Sequence, residues 1–143
     1  MNIIKRILFC DDELHILKPA EFKFKRAGYE VFTATDGEEG WRMVLAHQPS
    51  LVITDCQMPV LNGLDLAERI KNHPATAGMP VIMLSGKGFE LSSQDLRSEY
   101  GIVALLPKPF SPRELFQRVE ALLGLTNQPL APPKIRDVIA EWL

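Results

Sequence analysis

Four short apolar runs, each ending in a polar or charged group, limit this chain more than any other feature. Ile7-Leu8-Phe9-Cys10 ends at Asp11-Asp12, and Leu51-Val52-Ile53-Thr54 ends at Asp55. Val81-Ile82-Met83-Leu84 ends at Ser85-Gly86, and Ile102 to Leu106 ends at Pro107-Lys108-Pro109. Continuous apolar runs of this length read as strands covered on both faces, as in a parallel sheet. In open α/β sheets, ligands bind at the carboxyl ends of the strands. If these four strands are parallel neighbours, Asp11, Asp12, Asp55, Ser85 and Lys108 converge on one edge.

The intervening segments carry helical signals. After a first strand over residues 3 to 10, Asp12 or Glu13 begins a helix to about Ala27, with Leu14, Leu17, Glu21 and Phe24 near helical spacing. Pro19 removes a hydrogen bond there, which predicts a kink or a late helix start. Gly28 ends the helix. Tyr29 to Ala34 alternates as a more exposed edge strand. Asp36 caps a second helix with Glu38 and Glu39 in its first turn and Trp41, Val44 and Leu45 as its inward stripe. Gly63 opens a third helix to about His73, and Ser92 to Tyr100 forms a fourth. Ser111-Pro112 with Glu114 is a capping box for a fifth helix ending at Gly124. Strands alternating with helices imply an α/β fold: five β-α units, a parallel sheet with right-handed crossovers and helices on both faces.

Residues 1-124 therefore read as one domain, and 125-143 as a separate Pro-rich linker and short amphipathic helix. Pro129, Pro132 and Pro133 stiffen the linker. Ile135, Val138, Ile139 and Trp142 then fall at i, i+3, i+4 and i+7. Alone, so short a helix is marginal, so it should dock on its own domain, a second copy or another partner.

A chain of 143 residues with 46% hydrophobic and 24% charged residues has globular values. The net charge of −2 gives no basis for direct nucleic-acid binding. No secretory signal or bilayer-spanning run is present, so the sequence reads as cytoplasmic with no membrane association. Two cysteines, Cys10 and Cys56, are too few for a disulfide framework or a zinc site. They read as reduced thiols, with a redox bridge as the side hypothesis.

Three carboxylates at one edge repel each other unless a divalent cation sits among them. Hard oxygen donors suit Mg²⁺, which keeps several waters and leaves room for a phosphate oxygen. A carboxylate beside such a cation can attack a phosphoryl group and form an aspartyl-phosphate. Lys108 offers a mobile positive charge and Ser85 a hydroxyl donor.

The set Asp11-Asp12, Asp55 with Met58-Pro59 and Gly63, Pro80 to Ser85, and Pro107-Lys108-Pro109-Phe110 resembles the receiver domain of two-component response regulators over roughly residues 4 to 124. The resemblance implies a flavodoxin-like fold with strand order 2-1-3-4-5. It implies Asp55 as the phospho-acceptor and Asp12, Asp55 and the backbone carbonyl of Gln57 as Mg²⁺ ligands, with Asp11 acting through water. Ser85 matches the family's switch hydroxyl, Lys108 its phosphate-binding lysine, and the Lys108-Pro109 bond is expected to be cis. The implied partners are a sensor histidine kinase or phosphotransfer protein and an output partner or effector domain, with a homodimer possible. Such a domain assists its own phosphorylation and dephosphorylation and is otherwise not an enzyme.

Some positions depart from the family pattern. Gly86 follows the switch hydroxyl where Ala is frequent. Leu105 stands where Tyr or Phe is usual three residues before the lysine, so no aromatic rotamer couples to Ser85. Ile102-Val103-Ala104 lacks the acidic residues common there. Gln57 and Lys87 flank the site where side chains can gate attacking water. A phosphatase of the haloacid-dehalogenase type needs a second Asp where Gln57 stands, and a flavin module needs a phosphate loop where Asp11-Asp12-Glu13 would repel it. The remaining alternative is a phosphorylation-independent protein-binding module.

Overall fold

The computed structural model describes residues 5-85, 93-108 and 110-126. The expectations for Gly86, Lys87, the Lys108-Pro109 bond and the helix after Pro133 fall outside the described residues. Ten elements alternate among the described residues. They are β1 (Arg6–Cys10), α1 (Leu14–Arg26), β2 (Glu30–Ala34), α2 (Gly37–His47), β3 (Leu51–Asp55), α3 (Gly63–Asn72), β4 (Val81–Ser85), α4 (Ser93–Tyr100), β5 (Ile102–Pro107) and α5 (Pro112–Thr126). The five strands form one parallel sheet, as their apolar pattern predicts, in the order β2-β1-β3-β4-β5 that the receiver-domain resemblance implies.

The alternation of side chains along each strand divides the interior into two cores. Ile7, Phe9, Leu51, Ile53, Ile82 and Leu84 point to the face covered by Leu17 and Phe24 of α1 and Leu115 and Val119 of α5. Leu8, Cys10, Val52, Val81 and Met83 point to the opposite face, under Val44 of α2, Leu66 and Ile70 of α3 and Leu96 of α4. The central strands are apolar throughout because both their faces are buried. Each large side chain buried in this way contributes roughly 1.5–3 kcal/mol of hydrophobic stabilisation. Between β4 and β5 the register shifts at Val81/Ile82, so Val103 is an extra residue that re-phases β5.

Three local expectations change. α1 starts at Leu14 and runs through Pro19 without a late start; Leu17, Ala20 and Phe24 are its buried face, and Leu14 is exposed. In α2, Leu45 is exposed, Gly37, Gly40 and Val44 are buried, and Trp41 packs half-buried against the same core. A Cβ at Gly40 would stand 2.9 Å from Cys10 Sγ, so the helix approaches the sheet too closely for a larger residue. α5 continues past Gly124 to Thr126.

The predicted caps at Asp36 and Ser111 form, and Asn62, unmarked in the sequence reading, caps α3 as well. Asp36 accepts a hydrogen bond from the Glu39 amide (2.7 Å), and Glu39 reaches back to the Thr35 amide (2.9 Å). Asn62 caps α3 through the Asp65 amide (2.8 Å), and Ser111 caps α5 through the Glu114 amide (3.1 Å). Gly28, at φ +98°, closes α1.

Candidate functional site

The ends of β1, β3, β4 and β5 lie side by side because of the strand order, and β1 and β3 flank the point where the order reverses. β1 delivers Asp11, Asp12 and Glu13. The Asp11 amide donates to the Ala34 carbonyl (3.0 Å), which holds the chain against β2 as it leaves the sheet. Asp11 Oδ1 then accepts the Glu13 amide (2.9 Å), a tight turn that starts α1.

β3 delivers Asp55. The Cys56 amide continues the ladder onto the Leu84 carbonyl (3.0 Å), and the chain returns at Gly63, whose amide donates to the Cys56 carbonyl (2.8 Å). Gly63 lies so close to this strand end that a Cβ there would stand 2.1 Å from the Asp55 carbonyl oxygen. Within the loop, Val60 has φ +70° and is 80% exposed, a strained conformation for a β-branched residue. β4 delivers the buried Ser85, whose carbonyl accepts the Lys108 amide (2.8 Å), so the end of β5 is fastened to the end of β4.

Lys108 Nζ lies 3.1 Å from Asp11 Oδ2, 3.4 Å from Asp55 Oδ2 and 3.3 Å from Glu13 Oε1. Asp11 is wholly buried and Asp55 nearly so, whereas Asp12 and Glu13 are exposed. Burial pushes the Asp11 carboxyl above its ordinary value, against the pull of the Glu13 amide and Lys108. Asp55 is raised by burial and then by the charge of Asp11, again opposed by Lys108. Burial alone would lower Lys108, but Asp11, Asp55 and Glu13 outweigh it and hold the ammonium above its ordinary range.

Asp11, Asp12, Glu13 and Asp55 each offer a carboxylate oxygen, and these oxygens all lie within 4.8 Å of one another. An all-oxygen set, half buried and half open to water, suits a hard cation that retains waters.

The structure thus brings together Asp11, Asp12, Asp55 and Lys108, all expected from the sequence. Ser85 is on the adjoining strand end and Gln57 in the exposed loop after Asp55. The sequence assigns Glu13 to the helix start and to the acidic run but not to the site, yet its carboxylate meets Lys108. The signal available was a third consecutive acid at a strand end. Cys10 and Cys56 are free thiols, Cys10 buried in the core beneath α2 and Cys56 half-buried. Burial raises both above the ordinary thiol range, which keeps them protonated.

Comparison with known proteins agrees with this geometry. The model of the response regulator receiver domain matches residues 7–120. The chain is 35% identical over 119 residues to the alkaline phosphatase synthesis transcriptional regulatory protein PhoP of Bacillus subtilis, covering 83% of this chain and 48% of that protein. It therefore spans about half the length of the curated relatives it matches. Among solved structures, chemotaxis response regulator CheY4 of Vibrio cholerae superposes with a TM-score of 0.73 at 26% identity, over 82% of this chain and 98% of CheY4. The receiver domain of sensor histidine kinase PA1611 of Pseudomonas aeruginosa, solved with a magnesium ion in its active-site cleft, gives 0.69 at 25% identity, over 82% and 94%. No helix among the described residues is long and apolar enough to cross a membrane. Sheet order, acidic strand ends and sequence similarity converge, and the chain belongs to the response regulator receiver domains of two-component systems.

Proposed function

We propose that this chain is a phospho-acceptor switch in which Asp55 takes a phosphoryl group, in a Mg²⁺-dependent reaction, from a histidine kinase or phosphotransfer protein. The observation that carries the reading is the Asp55 carboxylate lying 3.4 Å from the Lys108 ammonium beside a cluster of further carboxylates. A carboxylate oxygen of Asp55 attacks phosphorus. The bond from phosphorus to the donor's imidazole nitrogen breaks, and its electron pair leaves with the imidazole. The acidic cluster fits Mg²⁺, with Asp12, Asp55 and the Gln57 carbonyl as ligands and Asp11 acting through water. A bound Mg²⁺ neutralises charge on the transferring group.

Lys108 holds negative charge on the phosphoryl oxygens, for which it must leave its present contact with Asp55. Ser85 supplies a hydroxyl at the neighbouring strand end. Phosphorylation then biases two arrangements of α4, β5 and α5, to the extent that Ser85 and Lys108 bind the phosphoryl group better in one of them. The readout is binding to an output partner or effector domain. No turnover of a separate substrate is part of this proposal.

The test is incubation with acetyl phosphate, with and without Mg²⁺, followed by intact mass measurement beside Asp55→Asn. The expected result is a single Mg²⁺-dependent phosphoryl adduct, labile to hydroxylamine and lacking in the variant. No adduct with acetyl phosphate or with a panel of kinases would favour the alternative, a binding module that works without phosphorylation. Leu105 favours that alternative, because this half-buried aliphatic residue packs on the α4 side of the sheet where an aromatic rotamer would otherwise report on Ser85.

A further inference from the structure

The loop between β3 and α3 carries Gln57, whose backbone carbonyl is one of the proposed Mg²⁺ ligands. Both its ends are fastened. The Cys56 amide donates to the Leu84 carbonyl (3.0 Å), and the Gly63 amide donates to the Cys56 carbonyl (2.8 Å). Met58 is buried, with its sulfur 3.8 Å from the Thr54 hydroxyl. The Leu61 amide donates to the Pro59 carbonyl (2.8 Å), which closes a tight γ-turn around Val60 at φ +70°. Asn62 is held as the cap of α3. The middle of the loop rests on a different element. A Cβ on Gly37, the first residue of α2, would stand 1.9 Å from the Leu61 carbonyl oxygen and 2.7 Å from the Leu61 carbonyl carbon and Cβ.

α2 cannot retreat from this contact. Asp36 caps it through the Glu39 amide, and Glu39 reaches back to the Thr35 amide. Gly40, almost one turn on, lies against the sheet, where a Cβ would meet Cys10 Sγ at 2.9 Å and Leu66 Cδ2 at 3.2 Å. Glu38 pairs with Arg69 of α3 at 3.2 Å. A side chain at position 37 therefore displaces Leu61, and the displacement has few outlets. Asn62 is fixed to α3, Pro59 has a ring-locked φ, and the turn at Val60 is already in a rare conformation. Movement runs back through Pro59 and Met58 to the Gln57 carbonyl. Asp11 and Lys108, by contrast, are held by hydrogen bonds of their own amides to Ala34 and Ser85, and the end of β3 by that of Cys56 to Leu84.

We propose that Gly37 is a positioning residue for the cation. Its lack of a side chain lets the Leu61 backbone close onto α2, and this contact sets where the Gln57 carbonyl stands relative to Asp12 and Asp55. Mg²⁺ demands near-ideal octahedral geometry, so a small displacement of one oxygen lowers its affinity. The inference rests on the Mg²⁺-dependent reading of the site and adds to it a residue outside the acidic cluster.

The experiment titrates Mg²⁺ into the metal-free full chain and follows the Asp55 and Gln57 amide resonances in the parent, Gly37→Ala and Gly28→Ala. The Kd should rise roughly tenfold in Gly37→Ala, the scale of loss when a group supporting a ligand is changed. Gly28→Ala, at a position with open space around it, should keep the parent's Kd. The Mg²⁺ concentration for half-maximal labelling by acetyl phosphate should rise in step in Gly37→Ala, while the rate at saturating Mg²⁺ matches the parent's. In the parent, Mg²⁺ should also move the Gly37 and Leu61 resonances with the midpoint seen at Gln57, a readout that needs no variant to fold. An unchanged Kd in folded Gly37→Ala would overturn the proposal. So would Gly37 and Leu61 resonances that ignore Mg²⁺ while Gln57 responds, or an equal loss in Gly28→Ala, the mark of general destabilisation. A parent that binds no Mg²⁺ would overturn the Mg²⁺-dependent reading and this proposal with it.

Discussion

Lys108 holds its ammonium 3.1 Å from the fully buried carboxylate of Asp11, closer than to Asp55 at 3.4 Å. This ammonium thus offsets only part of the negative charge at a site where four acids meet. Removing it leaves buried charge without a counterion, which costs more than the pair itself contributes. Lys108→Ala should lose roughly 2–4 kcal/mol of stability in metal-free buffer. Millimolar Mg²⁺ should restore part of the loss, because a ligand that binds only the folded state contributes about 1.4 kcal/mol at ten times its Kd. Urea unfolding with and without Mg²⁺ checks both parts. A variant as stable as the parent without metal would contradict the charge balance described here.

The raised Asp55 carboxyl makes a prediction with a definite sign. A carboxylate raised on folding favours the folded state fully below its ordinary value of 3.8, and this contribution is lost as pH rises through the higher folded value. At neutral pH the charged group therefore opposes folding. Asp55→Asn should melt at a higher temperature than the parent at pH 7 in metal-free buffer. The gap should narrow as pH falls through the raised folded value and be closed below the ordinary value of 3.8, where the Asp55 carboxyl is neutral whether folded or unfolded. A variant less stable than the parent at pH 7 would refute this account. Melting curves across the pH range decide it.

Two glycines should respond differently to alanine. At Gly63 the new Cβ would lie 2.1 Å from the Asp55 carbonyl oxygen, a backbone atom that cannot move without shifting the end of β3. Gly63→Ala should cost about 3 kcal/mol and disturb the amide resonances of Asp55 and Cys56. At Gly28 the space is open and only the φ of +98° opposes a side chain, so Gly28→Ala should cost about 1 kcal/mol and leave those resonances in place. Equal costs at the two positions would show that close packing is not what requires Gly63.

Val60, at φ +70°, is the centre of a tight γ-turn closed by the Leu61 amide donating to the Pro59 carbonyl (2.8 Å), with 80% of its surface exposed. Burial returns little there, while the backbone strain of a β-branched residue is roughly 1–2 kcal/mol. Val60→Gly should stabilise the protein by about 0.5 kcal/mol, since glycine adopts a positive φ without a Cβ clash. Chemical denaturation measures it, and a destabilised variant would mean that the loop uses the Val60 side chain in a way its exposure conceals.

The strands, the helix caps and the acidic and basic strand ends were legible in the sequence because each is a local pattern. Apolar runs of four or five residues mark buried strands, and Asp36 and Ser111 precede helices in positions that only short polar side chains fill well. From these patterns come the parallel sheet and the membership of Asp11, Asp12, Asp55 and Lys108 in one site. Distances between segments far apart in the chain are not local, and they were settled by packing. The close approach of α2 to β1 turned Leu45 outward and placed Gly40 against Cys10. The return of the chain beside β3 made Gly63 obligatory and left Val60 strained. The fastening of β5 to β4 through Ser85 brought Lys108 to Asp11 and Glu13. Sequence period thus determined which residues lie at the strand ends. The tertiary structure decided which of them touch, because charge pairing and close contact depend on separations of a few ångströms that no stretch of sequence encodes alone.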